Sequence, residues 1–302
     1  MLIKSSKFLG AALLIVLGLF IVIAVVFQIK AMRNNNTPAS ADATAGKPAG
    51  SDIPLTPQDI KNATSTTLTP AQKEKLTQMV LPWVENQGQF DPAVKFSVNN
   101  MAGTFFITSG DITYVFTQKE EVKKTNPSPE YSEAEEELPK VTTLVMKEFF
   151  AGDGVKFEPV GMDQQTAKAN YFIGSKDNWK NNVTTYARVV SENVYPNVEV
   201  DIRAYGYGVA KSFTVKPGGN PDQIKLRVDG VSKMVIDPDG RLKLQVKGTT
   251  DAKGIIYFGR PSAYQTINNA EQAITAEYKL LGNNNYGFKV GDYNKEYPLI
   301  IK

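Results

Sequence analysis

The residues best suited to chemistry are two carboxylates and a guanidinium that alternate along one predicted strand, at Glu199, Asp201 and Arg203. Alternate residues of a strand project from the same face, about 6.6 Å apart along the chain. Retaining glycosidases place their two carboxyl groups about 5 to 5.5 Å apart, so Glu199 and Asp201 could act as acid and nucleophile. A cross-strand salt bridge with Arg203 is the structural alternative. The glycosidase strand motif E-x-D-x-x-E lacks its third glutamate here, which favours the salt bridge.

Four aromatic residues near Asn- and Gly-rich turns are candidates for stacking on sugar rings: Trp179, Tyr205, Tyr207 and Tyr264. The apolar faces of sugars pack on aromatic rings, and neighbouring Asn and Gln side chains supply hydrogen bonds. Glycines at positions 206 and 208 favour a loop or bulge around Tyr205 and Tyr207. Packing in the core is the alternative use of these side chains.

The composition excludes several kinds of catalytic and metal site, because the chain contains no histidine and no cysteine. This excludes Ser-His and Cys-His triads, zinc sites built on these residues, and haem ligation by His or Cys. The sequence D-P-D-G at 237–240 resembles the start of a calcium loop, but the later ligands of an EF-hand are missing and a β-turn explains it. We expect no cofactor, no metal and no enzymatic activity.

The N-terminal region predicts a membrane anchor. Residues 9–29 carry no charge and are long enough to span a bilayer as a helix. Lys30 and Arg33 separate this run from the first A-x-A pattern, which favours an uncleaved signal anchor within residues 1–33 over a cleaved signal peptide. The remaining residues are nearly neutral and lack the basic clusters that bind nucleic acid.

The segments that follow predict a stalk and then a β-rich domain. Residues 34–69 are rich in Ser, Thr, Asn, Pro and Ala, which predicts a disordered stalk, and residues 70–82 predict a short helix that begins with Pro70. From 83 to 302, alternating apolar residues recur between turn signals about every ten residues, which is typical of an all-β, antiparallel sandwich or barrel-like domain. A mobile acidic loop is expected at 119–140. A spacer rich in small polar residues followed by a β-rich domain is typical of exported chains, so we expect the bulk of the chain outside the cytoplasm.

Short ordered blocks over 83–302 resemble a family of bacterial surface domains of uncharacterised function that often precede SBBP-type β-propeller repeats. The blocks are W-x-E-N-x-G-Q at 83–89, N-Y-F-I-G at 170–174, T-Y-A-R-V at 185–189, V-Y-P-N-V at 194–198, P-G-x-N-P at 217–221, D-G-x-L at 239–242, P-x-A-Y-Q at 261–265 and Y-P-L-I-I at 297–301. The resemblance implies an exported β-domain and no known catalytic residues. Family members usually continue into repeats. The present sequence departs from this pattern, because it ends at 302 without such repeats and begins with a predicted anchor, so we expect a membrane-tethered, single-domain version.

Together these features predict a non-enzymatic, single-pass protein of the cell membrane whose β-domain acts in surface adhesion, envelope organisation or partner binding. Its expected partners are the bilayer, through residues 9–29, and envelope proteins or glycans. A glycan-binding module is one alternative, and a carbohydrate-active enzyme that uses Glu199 and Asp201 is another.

Overall fold

The computed structural model describes residues 78–119 and 141–302. The predicted anchor at 1–33, the stalk at 34–69, most of the predicted helix at 70–82 and nearly all of the acidic loop at 119–140 lie outside the described residues. Within the described ranges, no helix has the length and apolar character needed to cross a membrane.

The described residues form short strands joined mostly by tight turns. The first eleven strands are β1 Val80–Leu81, β2 Trp83–Glu85, β3 Val94–Asn100, β4 Gly103–Thr108, β5 Asp111–Lys119, β6 Val141–Phe150, β7 Val160–Gln164, β8 Ala169–Tyr171, β9 Lys180–Val183, β10 Thr185–Tyr195 and β11 Val198–Tyr205. The next ten are β12 Gly208–Val215, β13 Leu226–Asp229, β14 Val231–Ile236, β15 Leu242–Val246, β16 Ile255–Phe258, β17 Ala263–Ile267, β18 Ala270–Ile274, β19 Ala276–Gly282, β20 Asn285–Val290 and β21 Leu299–Ile301. Short 3-10 helices lie at Lys176–Asn178, Pro221–Gln223 and Ala252–Gly254.

Most strands belong to one antiparallel sheet in the order β18-β17-β21-β12-β11-β10-β2-β3-β4-β5-β6-β13-β20-β19, with β1 and β7 added beside β11 and β10. The two ends of this path, β18 and β19, are separated in sequence only by Thr275. The sheet therefore curls until it is nearly closed, and the prediction of an all-β, barrel-like antiparallel domain is confirmed. Strands β14, β15 and β16 form a separate small sheet, as do β8 and β9.

Period-two alternation along β11 places one face of this strand in the interior of the curled sheet. In β11, Val198, Val200, Ile202 and Ala204 are fully buried, while the residues between them are half-buried on the opposite face. Burying a large apolar side chain in this way contributes roughly 1.5–3 kcal/mol. The same alternation places Glu199, Asp201 and Arg203 together on the outer face, as the sequence predicts.

The chain is extended where the predicted helix at 70–82 should end. Val80 and Leu81 form β1 and pair with Tyr205 and Ala204 of β11. Strand β10 pairs with β11 only as far as Ile202, so the last residues of β11 have free backbone groups on that side. Pairing with β1 satisfies those groups, which explains why tertiary context overrides helix signals at this point.

Candidate functional site

A cleft of about 740 Å³ opens beside β12. Strand β21 pairs with β12 only over Phe213–Val215, so among the described strands none covers the same edge at Gly208–Ser212. The cleft is lined by residues of β11 and β12 and by residues 257–260, Tyr264, Tyr278, Tyr286 and Lys302. It therefore lies where the pairing of β12 with β21 ends, and side chains of the outer face and of the interior meet there.

The outer wall of the cleft carries paired charges. The carboxylate of Asp201 accepts hydrogen bonds from Arg188 Nη1 at 2.9 Å and from Arg203 Nε at 3.2 Å. Arg188 Nε also donates to Asp163 at 2.6 Å, and this hydrogen bond lowers the pKa of Asp163. Glu199 pairs with Lys216 at 3.2 Å. The predicted ion pair of Asp201 with Arg203 is present along one strand, whereas the cross-strand partner is Arg188.

The inner wall contacts a buried charge that sequence reasoning missed. Glu148 on β6 is fully buried, and its Oε2 accepts a hydrogen bond from Tyr114 at 2.6 Å and an ion pair from Lys211 Nζ at 2.6 Å. Its Oε1 accepts a hydrogen bond from the Tyr286 hydroxyl. Burial, together with the nearby charge of Glu148, raises the pKa of both tyrosines well above 10, so their hydroxyls remain donors.

Lys211 and Tyr286 connect this buried cluster with the cleft, because both line it. The Lys211 ammonium also lies 4.7 Å from the ring centroid of Phe258, at cation–π distance. Lys211 thus presents a positive charge to the cleft while Glu148 and an aromatic ring hold its position.

A signal for the buried cluster is present in the strand phase. On β6, Leu144, Met146 and Phe150 are buried at alternate positions, and Glu148 occupies the same phase. Lys211 shares its phase on β12 with the buried Phe213. A charged residue at a core-facing position needs a buried partner, and two such residues of opposite sign suggest each other.

The structure separates the four predicted aromatic candidates. Tyr205 and Tyr264 line the cleft, and the Lys302 ammonium lies 4.7 Å from the Tyr264 ring centroid. Tyr207 is 46% exposed in the turn between β11 and β12, outside the cleft lining. Trp179 lies on the β8–β9 hairpin with its ring 5.1 Å from that of Phe172 in an edge-to-face contact. Only the first two tyrosines share a site with Glu199 and Asp201.

The turn at 237–240 joins β14 to β15, and Asp239, one of its two acidic residues, already has a side-chain partner. The Asp239 carboxylate accepts hydrogen bonds from the Arg241 amide at 3.1 Å and Arg241 Nε at 2.6 Å, which lower its pKa. Among the described residues, no group of three or more acidic side chains could hold a metal ion. The turn instead supports the cleft, since a Cβ at Gly240 would lie 3.3 Å from Cγ of Arg260, a lining residue.

A second cavity, of about 590 Å³, lies beside the W-x-E-N-x-G-Q segment and is lined by residues of 85–96, residues 159–161 and Tyr186. The Asn86 amide donates to the carbonyls of Asp91 at 2.8 Å and Val94 at 2.9 Å, and its oxygen accepts from the Phe90 amide at 3.1 Å. The polar residues of this segment therefore hold their own loop, and the cleft beside β12 is the better candidate site.

Comparison with known proteins assigns the folded region to a family without assigning an activity. Neither the curated proteins nor the solved structures contain a significant match to the chain. A family model for a domain of unknown function, DUF7948, matches residues 83–302, which is the whole β-rich region apart from β1. The chain therefore belongs to the DUF7948 family of domains of unknown function.

Proposed function

We propose that the β-domain is a non-enzymatic glycan-binding module, carried outside the cytoplasm, and that the cleft beside β12 is its binding site. The observation that supports this most directly is the grouping of Tyr205 and Tyr264 with the charged side chains of β11 in one cleft. Sugar recognition combines aromatic faces with fixed hydrogen-bonding groups. The volume of about 740 Å³ falls within the usual range for small-ligand sites.

In this proposal Glu199 and Asp201 bind sugar hydroxyls and do not hydrolyse the glycan. Lys216 engages Glu199, while Arg188 and Arg203 engage Asp201. A side chain held by several partners keeps one geometry, which suits a binding wall. A glycosidase nucleophile needs a carboxylate oxygen free to attack, and both oxygens of Asp201 already accept hydrogen bonds from two guanidinium groups.

The test of binding is a glycan array probed with the full-length chain, followed by titration of each hit. Tyr205→Ala and Tyr264→Ala should each weaken binding by about tenfold, because a lost aromatic contact costs on the order of 1 kcal/mol. Tyr207→Ala and Trp179→Ala are matched controls on the same fold and should leave affinity unchanged. Loss of binding in the controls but not in the cleft variants would move the site away from the cleft.

Turnover is tested on the same glycans. The proposal predicts that no reducing ends accumulate when a bound glycan is incubated with the protein. Release that stops in Glu199→Gln or Asp201→Asn would instead establish the carbohydrate-active enzyme.

The anchor and the surface location form a second part of the proposal, supported by the uncharged run at 9–29 and the small polar residues that follow it. A module tethered in this way would serve adhesion or envelope organisation. Protease added to intact cells should remove a C-terminal tag while the N-terminal fragment stays in the membrane fraction. Protection of the tag, with the whole chain in the soluble fraction, would contradict both the anchor and the location.

A further inference from the structure

The charges that line the cleft fall into two groups, those that already have a carboxylate partner and those that do not. Arg188 and Arg203 share Asp201, and Lys211 is held by Glu148. These cations are committed to internal partners. A ligand that drew them away would leave a carboxylate uncompensated, and the cost would be greatest at the fully buried Glu148.

Arg260 belongs to the second group. It is exposed, it lines the cleft, and within the described residues no carboxylate forms an ion pair with it. Its aliphatic stem lies against Gly240, whose φ of +84° and missing side chain leave room for it. The hairpin turn thus supports the stem of Arg260 and leaves its guanidinium available to a ligand.

A second cation and two aromatic rings lie along the same cleft. The Lys302 ammonium lies 4.7 Å from the Tyr264 ring centroid, and Tyr257, also a lining residue, has the Arg241 guanidinium 4.2 Å from its ring centroid. These contacts add positive charge beside rings on which a sugar could stack. The site therefore offers an uncompensated guanidinium next to aromatic surface.

From this arrangement, and resting on the glycan-binding function proposed above, we infer that the ligand is an acidic glycan whose carboxylate is bound by Arg260. A guanidinium donates two parallel hydrogen bonds to a carboxylate, a geometry that an ammonium does not reproduce. The pyranose ring of a uronic acid carries its carboxylate beside an apolar face, so one residue could contact Arg260 and a tyrosine together. A neutral glycan leaves the guanidinium unused.

The experiment compares two probes that differ only in charge, oligogalacturonate and its fully methyl-esterified form, titrated into the full-length chain by calorimetry. The acidic form should bind at least tenfold more tightly, and its affinity should fall as salt is raised. Arg260→Ala should weaken binding of the acidic form by about 10- to 100-fold, as expected for the loss of a charge-assisted hydrogen-bonded pair. The affinity for the ester should not change. Arg260→Lys should recover only part of the loss.

Arg227→Ala is the matched control, because Arg227 is an exposed arginine paired with Asp229 and lies outside the cleft lining. It should leave both affinities unchanged, and equal melting temperatures of the two alanine variants would show that neither perturbs the fold.

Four outcomes would overturn the inference, and they separate its failure from failure of the glycan-binding function. Equal binding of the acid and the ester would remove the acidic ligand and leave the glycan-binding function standing. Binding of neither probe, with array hits confined to neutral glycans, would have the same consequence, whereas an empty array would remove the glycan-binding function as well. Polyglutamate that binds as tightly as oligogalacturonate would show that the cleft recognises carboxylates without requiring a sugar.

Discussion

Replacement of Lys211 by methionine should destabilise the fold more than any change to the exposed ion pairs. The substitution keeps the side-chain volume and removes the charge that compensates Glu148, which is fully buried and 2.6 Å from the ammonium. Removing one partner of a buried pair typically costs about 3–5 kcal/mol because the other charge stays buried. A domain with a total stability of about 5–15 kcal/mol would lose a large part of it.

The two partners are not equivalent, and this asymmetry makes the prediction sharper. Glu148→Gln leaves the ammonium without its carboxylate, but the Lys211 side chain is 10% exposed in the cleft, whereas that of Glu148 is fully inaccessible. Water can solvate the ammonium, so we expect a smaller loss for Glu148→Gln, of about 1–3 kcal/mol. The double variant should lose less than the sum of the two single losses, since neither charge then remains.

Urea unfolding monitored by circular dichroism measures the free energy of unfolding of the two single variants and of the double variant. Lys216→Met is the matched control, because its ion pair with Glu199 is partly exposed and such pairs contribute at most about 1 kcal/mol. A loss in Lys211→Met no larger than that in Glu148→Gln would refute the reasoning. It would show that Tyr114 and Tyr286 satisfy Glu148 without help from the lysine.

Three further predictions concern other parts of the domain. Burial raises the pKa of Tyr195 to about 12, and its hydroxyl donates to the Lys225 carbonyl at 2.6 Å. The unfolded chain loses this proton near pH 10, so Tyr195 alone should contribute about 2–3 kcal/mol to the fall in stability between pH 10 and 12, and the fall measured by urea unfolding should be smaller by that amount in Tyr195→Phe. Gly103→Ala should cost more than about 2 kcal/mol, because a Cβ there would lie 2.0 Å from the Val115 carbonyl oxygen, while Gly110→Ala, with open space around it, should be nearly neutral in the same assay. Asn86→Ala should cost about 2 kcal/mol in thermal unfolding and expose the loop at 86–93 to protease, because the half-buried carbonyls of Asp91 and Val94 lose their hydrogen-bond donor. An unchanged digestion pattern would contradict this role.

The strand content could be predicted from the sequence because alternation records which face of each strand is buried. Val198, Val200 and Ile202 alternate with charged residues, and the structure buries the first set and leaves the second on the outer face. The hairpin of β17 and β18 was not predicted, because β18 reads A-E-Q-A-I and three of its five residues are Ala or Glu. Its two-residue turn, Asn268–Asn269, adopts positive φ at both residues. Asn tolerates this conformation, so the Asn-Asn pair was the signal in the sequence for a hairpin.

The site could be predicted only in fragments, because its residues come from distant segments of the chain. Tyr205, Tyr264, Glu199 and Asp201 were singled out by type and neighbours, but nothing in their spacing shows that β21 ends its pairing with β12 at Phe213 and leaves a cleft. Strand register depends on contacts across the whole sheet, which pattern alone does not determine. Glu148 was missed because Val145 and Phe149 make the opposite face of its strand apolar as well, which obscures the signal that its own phase carries.

The position of Lys211 indicates where an acidic ligand would bind within the cleft. An anionic group placed on the Lys211 ammonium would compete with Glu148, whose buried carboxylate would then lose its only cationic partner within the described residues. That competition carries the same cost as Lys211→Met, so it opposes binding at the inner wall. At Arg260 no internal carboxylate has to be displaced. A ligand carboxylate should therefore bind at Arg260 and not at Lys211, and Lys211→Met should weaken glycan binding mainly through its effect on the fold.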